Sequence, residues 1–223
     1  MSAQSDVAGL LRLMAWMSPA FPVGAFSYSA GLEGAVHDGL LSNPHELSVW
    51  VKLSLERGAL WNDAVLLAAA SRCHEDSQAL HELCELARAL AGSAERYRET
   101  VQLGDAFVVA AKAWPQQVFE RLPAQTAYPV AVGAVAAAHG VEPVSAIAGY
   151  LHAGVSQMVS AAIRLGLAGQ TDGVAILAST EPFLTDVAVK AKSSTLDDLG
   201  SSTILADTAF LRHEIQHSRL FRS

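Results

Sequence analysis

The sequence predicts an all-α protein, a single-domain helical bundle of about ten helices over residues 1–223. Three observations carry that expectation. Apolar residues recur at helical spacing along almost the whole chain. No stretch sustains the period-two, β-branched alternation of a half-buried strand. Hydrophobic residues make up 51% of the chain and charged residues only 17%, and alanine supplies 40 of 223 positions. A chain so apolar can bury enough surface to offset its ordering entropy, which excludes disorder as its main state.

The elements follow in order. Val7, Leu10, Leu11, Met14 and Met17 form one stripe, stopped by Ser18-Pro19. A loop from Pro19 to Pro22 leads into a helical stretch over about Gly24 to Asp38. Asn43 can cap the next helix, with Pro44 at its first position and Glu46 completing a capping box. That helix should run to about Leu60, and Trp61 should open another that continues to about Cys73. Leu80 to Ala91 is strongly periodic and stops at Gly92, and a long helix from about Ala94 to Ala113 ends before Pro115. Ala127 to Ala138 precedes Gly140, and Pro143 starts a helix extending to about Gly166. Its small residues (Ala146, Gly149, Ala153, Gly154) suit close helix packing. A further helix follows Gly173 to about Lys192, the Ser/Thr-rich stretch to Thr203 reads as a loop, and a last helix covers about Ile204 to His217.

Charge and cysteine usage narrow the function classes. Fifteen Lys+Arg against 22 Asp+Glu give a net charge of −7, which leaves no electrostatic footprint for nucleic acid. Two cysteines, Cys73 and Cys84, make no disulfide framework, and a reducing compartment is the expectation. Met1 to Ala8 lacks a basic stretch before an apolar run, so no signal peptide is expected there. The uncharged stretches Leu13–Leu32 and Leu122–Val141 contain prolines, and Pro143–Ile163 carries scattered polar residues, so buried helices suit them better than membrane spans. A soluble, cytoplasmic protein is expected.

Several strings resemble chemistry. His213-Glu214-Ile215-Gln216-His217 spells HExxH, which on a helix places two imidazoles one turn apart as zinc ligands around a general base. A catalytic zinc site needs a third ligand, and none lies in Ser218–Ser223, so a zinc hydrolase is the alternative reading and a terminal docking helix the favoured one. On one helix Cys73 and Cys84 would lie about 16 Å apart and share no ion; a break near Glu75-Asp76-Ser77 would relax that. There is no phosphate-binding glycine loop and no nucleophile elbow. No catalytic, metal or cofactor site is assigned.

What remains is surface material. Ser18 to Glu33 concentrates prolines, glycines and aromatics, as either a structured loop or a binding loop would. Ser218–Ser223 is an Arg-aromatic-Arg end, with residue types enriched at interface hot spots. Arg164 is the first full charge after Pro143–Ile163, and Gln170-Thr171-Asp172-Gly173 follows it, as a helix end with its turn or as a contact surface.

Together these places carry a resemblance. Ser18 to Glu33 resembles the S-P-[AL]-[FL]-P-[VI]-G-A-F-S-Y-S-x-G-L-E signature of the UreF family of urease accessory proteins, with Pro19, Pro22, Gly24, Phe26, Ser27, Tyr28, Gly31 and Glu33 in place. Arg98-Glu99-Thr100, with Gln102 and Gly104, is similar to the family's R-E-T stretch. Ser160 to Leu165 and Gly169 to Gly173 resemble its A-A-V-R-L…G-Q-T-D-G block, and Arg212 to Ser223 its R-H-E-T-Q-Y-S-R-L-F-R-S ending. Ile215 stands for Thr and His217 for Tyr, the exchange that creates the HExxH string.

The resemblance implies an all-helical, dimerising, non-enzymatic protein. It would bridge a UreD/UreH-like accessory protein and the UreG-like GTPase, and regulate GTP-dependent nickel delivery to apo-urease. Arg164, with Gln170 and Asp172, is the candidate contact for the GTPase. Arg212, Arg219, Leu220, Phe221 and Arg222 are candidates for anchoring the UreD-like partner, with 218–223 a docking tail and Phe221 filling a pocket. A generic helical adaptor is the other alternative.

Overall fold

The computed structural model of the chain describes residues 3–222. Met1, Ser2 and Ser223, the ends of the expected domain and tail, lie outside the described residues. Among the described residues there are ten α-helices, three short 3-10 turns and no strand. α1 (Ala3–Trp16) buries Leu13 and Trp16, whereas Val7, Leu10, Leu11 and Met14 of the expected stripe face solvent. The continuous helix expected from Gly24 to Asp38 does not form. A 3-10 turn at Ala25–Ser27 and the short α2 (Leu32–His37) take its place. Ala30 (φ 55°) and Gly31 (φ 77°) lie in the left-handed region, which no right-handed helix passes through.

α3 (Pro44–Arg57) starts as expected, with the Asn43 side chain accepting the Glu46 amide at 3.0 Å. The Glu46 carboxylate reaches the amide of Ser42 at 2.7 Å, one residue before the capping-box position. α3 stops at Gly58, earlier than expected, and α4 (Ala59–Arg72) follows at once. α5 (Ser77–Ala89) starts on an Asp76 cap, so Cys73 and Cys84 belong to opposite sides of a helix break. α6 spans Ala94–Ala111 and α7 Tyr128–Ala138. α8 (Pro143–Arg164) is capped by Glu142, whose carboxylate accepts the Ser145 amide at 2.8 Å.

α9 (Gln170–Ser193) begins before the expected turn, because Asp172 accepts the Gly169 amide at 3.0 Å and caps the helix there. A 3-10 turn at Leu196–Asp198 interrupts the Ser/Thr-rich loop. α10 (Ile204–His213) ends one turn short of His217.

α4 and α7 form the heart of the bundle, buried on nearly every face. A side chain on Gly133 would collide with the backbone carbonyl of Leu67, so the small residue sets the helix separation. The buried apolar residues form one continuous cluster enclosed by the other helices. Among the described residues α8 is the one helix long and apolar enough to cross a membrane, and half of that window is buried against α9, α4 and α7. α2 and α10 close one end of the bundle. Gly34 lets α2 approach the Ala209 carbonyl, and Gly31 leaves room for the Phe210 ring. That contact brings the two ends of the chain together.

Candidate functional site

The Ser18–Glu33 segment and the C-terminal tail meet on one face. The residue that joins them is Glu33, at the start of α2 and buried. Its Oε1 accepts the amide of Leu220 at 2.7 Å, and its Oε2 accepts that of Phe221 at 2.8 Å. The same Oε2 lies 3.1 Å from Nε2 of His213, whose ring is fully buried. Nδ1 of His213 lies 2.7 Å from Oε2 of Glu95 in α6, and Arg219 donates to the other Glu95 oxygen at 2.7 Å. Glu214 turns to the N-terminus of α6 and accepts the amides of Ala94 (2.7 Å) and Glu95 (3.2 Å). A carboxylate there meets unpaired amides and the positive end of the helix dipole. Three segments distant in sequence are thus clasped by charged hydrogen bonds.

The clasp extends along the tail. Arg222 donates its backbone amide to the Ser27 carbonyl at 2.8 Å. Arg164, at the end of α8, donates to the Phe26 carbonyl at 2.7 Å, and its guanidinium lies 4.2 Å above the Phe221 ring. Phe221 is buried, and in this chain the pocket it fills is the chain's own. Tyr28 donates to Gln102 at 2.6 Å, and its carbonyl accepts from Gln157 at 3.1 Å. Burial pushes the Tyr28 phenol above its ordinary value, while a hydrogen bond with Arg222 works in the other direction. Arg212 pairs with Asp38 at 2.9 Å, and that pairing holds the Asp38 carboxyl below its ordinary value. Gly24 (φ 80°) makes the turn before Ser27, whose hydroxyl donates back to the Gly24 carbonyl at 2.7 Å.

The structure therefore gathers Arg164, Arg219, Phe221, Arg222, Phe26, Ser27, Tyr28 and Glu33 into one assembly. Gln170 and Asp172 stay apart, exposed in the first turn of α9, where Asp172 is occupied with its cap. Pro19 and Pro22 are exposed in the loop before the signature turn. The HExxH string does not stack two imidazoles, because α10 ends at His213 and leaves His217 exposed beyond it. Both His213 nitrogens lie within hydrogen-bond distance of carboxylates from other helices, so each already has a protein partner.

Beside this assembly runs a cleft of about 600 Å³, walled by Trp16, Phe21, Trp50, Phe210 and Phe221 among others. Along it lies a second buried polar cluster that sequence reasoning missed. Asp63 accepts from Arg96 at 2.6 Å and from Tyr150 at 2.8 Å. Burial alone would lower the Arg96 value, yet Asp63 and Glu99 raise it overall, and burial followed by Asp63 raises Tyr150. Glu95 was missed as well; the sequence signal available was a glutamate at the start of an otherwise well-capped helix. Around the clasp the surface is apolar: Phe26 (72% exposed), Ile204 (76%) and Ile215 (80%) project outward, with Leu205, Leu211 and Leu220 also exposed. An adhesive face with a rigid charged foundation is what this arrangement can supply.

The chain is similar to known proteins along its whole length. The UreF family model matches residues 41–181. The chain is 63% identical to the urease accessory protein UreF of Agrobacterium fabrum over 223 residues, all of both chains. It is 57% identical to UreF of Rhizobium leguminosarum bv. trifolii over the same full lengths. With UreF 1 of Brucella canis it shares 53% identity over 214 residues, 96% of this chain and 94% of that one.

Proposed function

The chain belongs to the UreF family of urease accessory proteins, and from that premise we propose that it works by adhesion. In this reading it bridges a UreD/UreH-like protein and a UreG-like GTPase in the cytoplasm, and regulates GTP-dependent nickel delivery to apo-urease. It acts as one domain and as a homodimer, with nickel as cargo and no bond-breaking of its own. The observation that supports it most is the seating of the tail on the Ser18–Glu33 segment, which leaves Phe26 and Leu220 exposed beside Arg164 and Arg222. Apolar anchors rimmed by arginines are the composition of an interface hot spot.

The UreD-like partner is assigned to Leu220, Arg222, Arg219 and Arg212, with Phe221 holding the face in shape from beneath Arg164. The GTPase is assigned to Arg164, Gln170 and Asp172. A scaffold can regulate a GTPase only by binding one nucleotide state better than another, at about 1.4 kcal/mol per tenfold shift. Complementation tests the function: the chain should restore urease activity in a strain lacking its own UreF, and an inactive but well-expressed chain refutes the reading. Arg164→Ala should weaken GTPase recruitment, measured by pull-down, and unchanged recruitment together with full urease activation removes that assignment.

A further inference from the structure

The His213 ring is fully buried, and each of its nitrogens faces a carboxylate from a different helix, Glu95 of α6 at 2.7 Å and Glu33 of α2 at 3.1 Å. An ionised carboxylate accepts hydrogen bonds and donates none, so a ring that keeps both contacts carries a proton on each nitrogen. The surrounding charges then balance. Two carboxylates, Glu33 and Glu95, meet two cations, the His213 ring and the Arg219 guanidinium. The other charged groups nearby are engaged elsewhere. Asp38, at the end of α2, pairs with Arg212; Glu99, one turn along α6 from Glu95, pairs with Arg96 at 3.6 Å; and Glu214 is occupied by the amides of Ala94 and Glu95. Loss of one ring proton would point a lone pair at a carboxylate oxygen and leave excess negative charge in a buried site, a costly arrangement. The oxygens that hold the ring also hold the tail: Glu33 Oε2 takes both Nε2 of His213 and the Phe221 amide.

We propose that this clasp is a pH-operated latch on residues 214–222. The doubly protonated ring holds the tail in its seat, and loss of one ring proton releases it, so that Glu33 and Glu95 become hydrated. The seated form binds more protons than the released form, and a rise in pH therefore favours release. The latch belongs to the isolated chain and does not depend on which partners the face takes.

The test is nuclear magnetic resonance on the full-length, isotope-labelled chain, following the His213 ring signals and the Leu220 and Phe221 amides from about pH 6 to about pH 9. The expected result is that the two sets change together and reversibly, the tail amides losing their seated shifts as the ring loses its proton. Glu95→Gln replaces one carboxylate by an amide that suits an uncharged ring, and its tail should stay seated across the range. If that variant fails to fold, His213→Gln serves instead, with a tail position that no longer responds to pH. The latch is overturned if the ring keeps both protons throughout, or if it titrates while the tail amides stay unchanged. An undiminished pH response in the folded variant overturns it too.

Discussion

The α4–α7 heart and the His213 clasp are both buried, yet they are built from opposite materials. Apart from Trp61 and the Asp63–Arg96 pair near the start of α4, the heart is mainly alanine, valine, leucine and glycine, held by close approach, with Ser71 turning its hydroxyl to the helix carbonyls of Leu67 (3.0 Å) and Gly133 (3.2 Å). The clasp is two glutamates, a histidine and an arginine, held by directed hydrogen bonds between segments more than a hundred residues apart. Dispersion and area burial reward any filling of roughly the right volume, so the heart makes the bundle. Buried charges are indifferent or costly unless every partner is present, so the clasp specifies one position for the tail. The difference separates what folds this protein from what shapes its face.

That separation can be broken by substitution. Gly133→Leu puts a side chain into the Leu67 backbone, where neither helix can yield. It should cost about 4 kcal/mol or more and leave little folded chain in urea titrations; a near-normal midpoint would mean that α4 and α7 are not packed as described. His213→Ala leaves Glu33 and Glu95 without the ring that joins them, a change worth about 3 kcal/mol at the clasp. The tail should detach, giving rapid trypsin cleavage after Arg219 while far-ultraviolet circular dichroism stays unchanged. Concerted loss of helix would instead merge the two regions into one.

Arg219→Ala removes a partly exposed partner of Glu95 and should cost about 1 kcal/mol, read as modestly faster hydrogen exchange of the Leu220 and Phe221 amides. The smallest effect lies outside both regions. The Glu142 carboxyl is held below its ordinary value, because the backbone amides of Ser145 and Val144 and the Ser145 hydroxyl outweigh the opposing effect of burial. A carboxyl lowered in the folded state contributes stability that is present above its unfolded value and lost as pH falls through the folded one. Glu142→Gln should therefore flatten the acid limb of the stability curve slightly and leave neutral pH nearly unchanged.

The same contrast explains what could be read in the sequence. Helices whose starts carry their own caps were legible, as at Asn43-Pro44 and Pro143, because the signal and its consequence lie within one turn. The α9 start was misplaced since Gly169-Asp172 reads equally as a turn until the helix beyond it is seen. The α1 stripe was legible as a period but not as a direction: Val7, Leu10, Leu11 and Met14 face outward, and only tertiary packing decides which side of a helix is covered. At the site, motif resemblance named many of the residues that the fold gathers but none of their pairings. His213 resembled half of a zinc pair because its string is local, whereas its actual partners, Glu33 and Glu95, come from helices chosen by the fold.

The most direct measurement is calorimetric affinity for the UreD-like partner, compared among the intact chain, a chain lacking Ser218–Ser223, and Phe26→Ala, whose exposed ring takes no part in seating the tail. If tail and signature form one docking face, both changes weaken binding at least tenfold, about 1.4 kcal/mol. Full affinity in the truncated chain would contradict it.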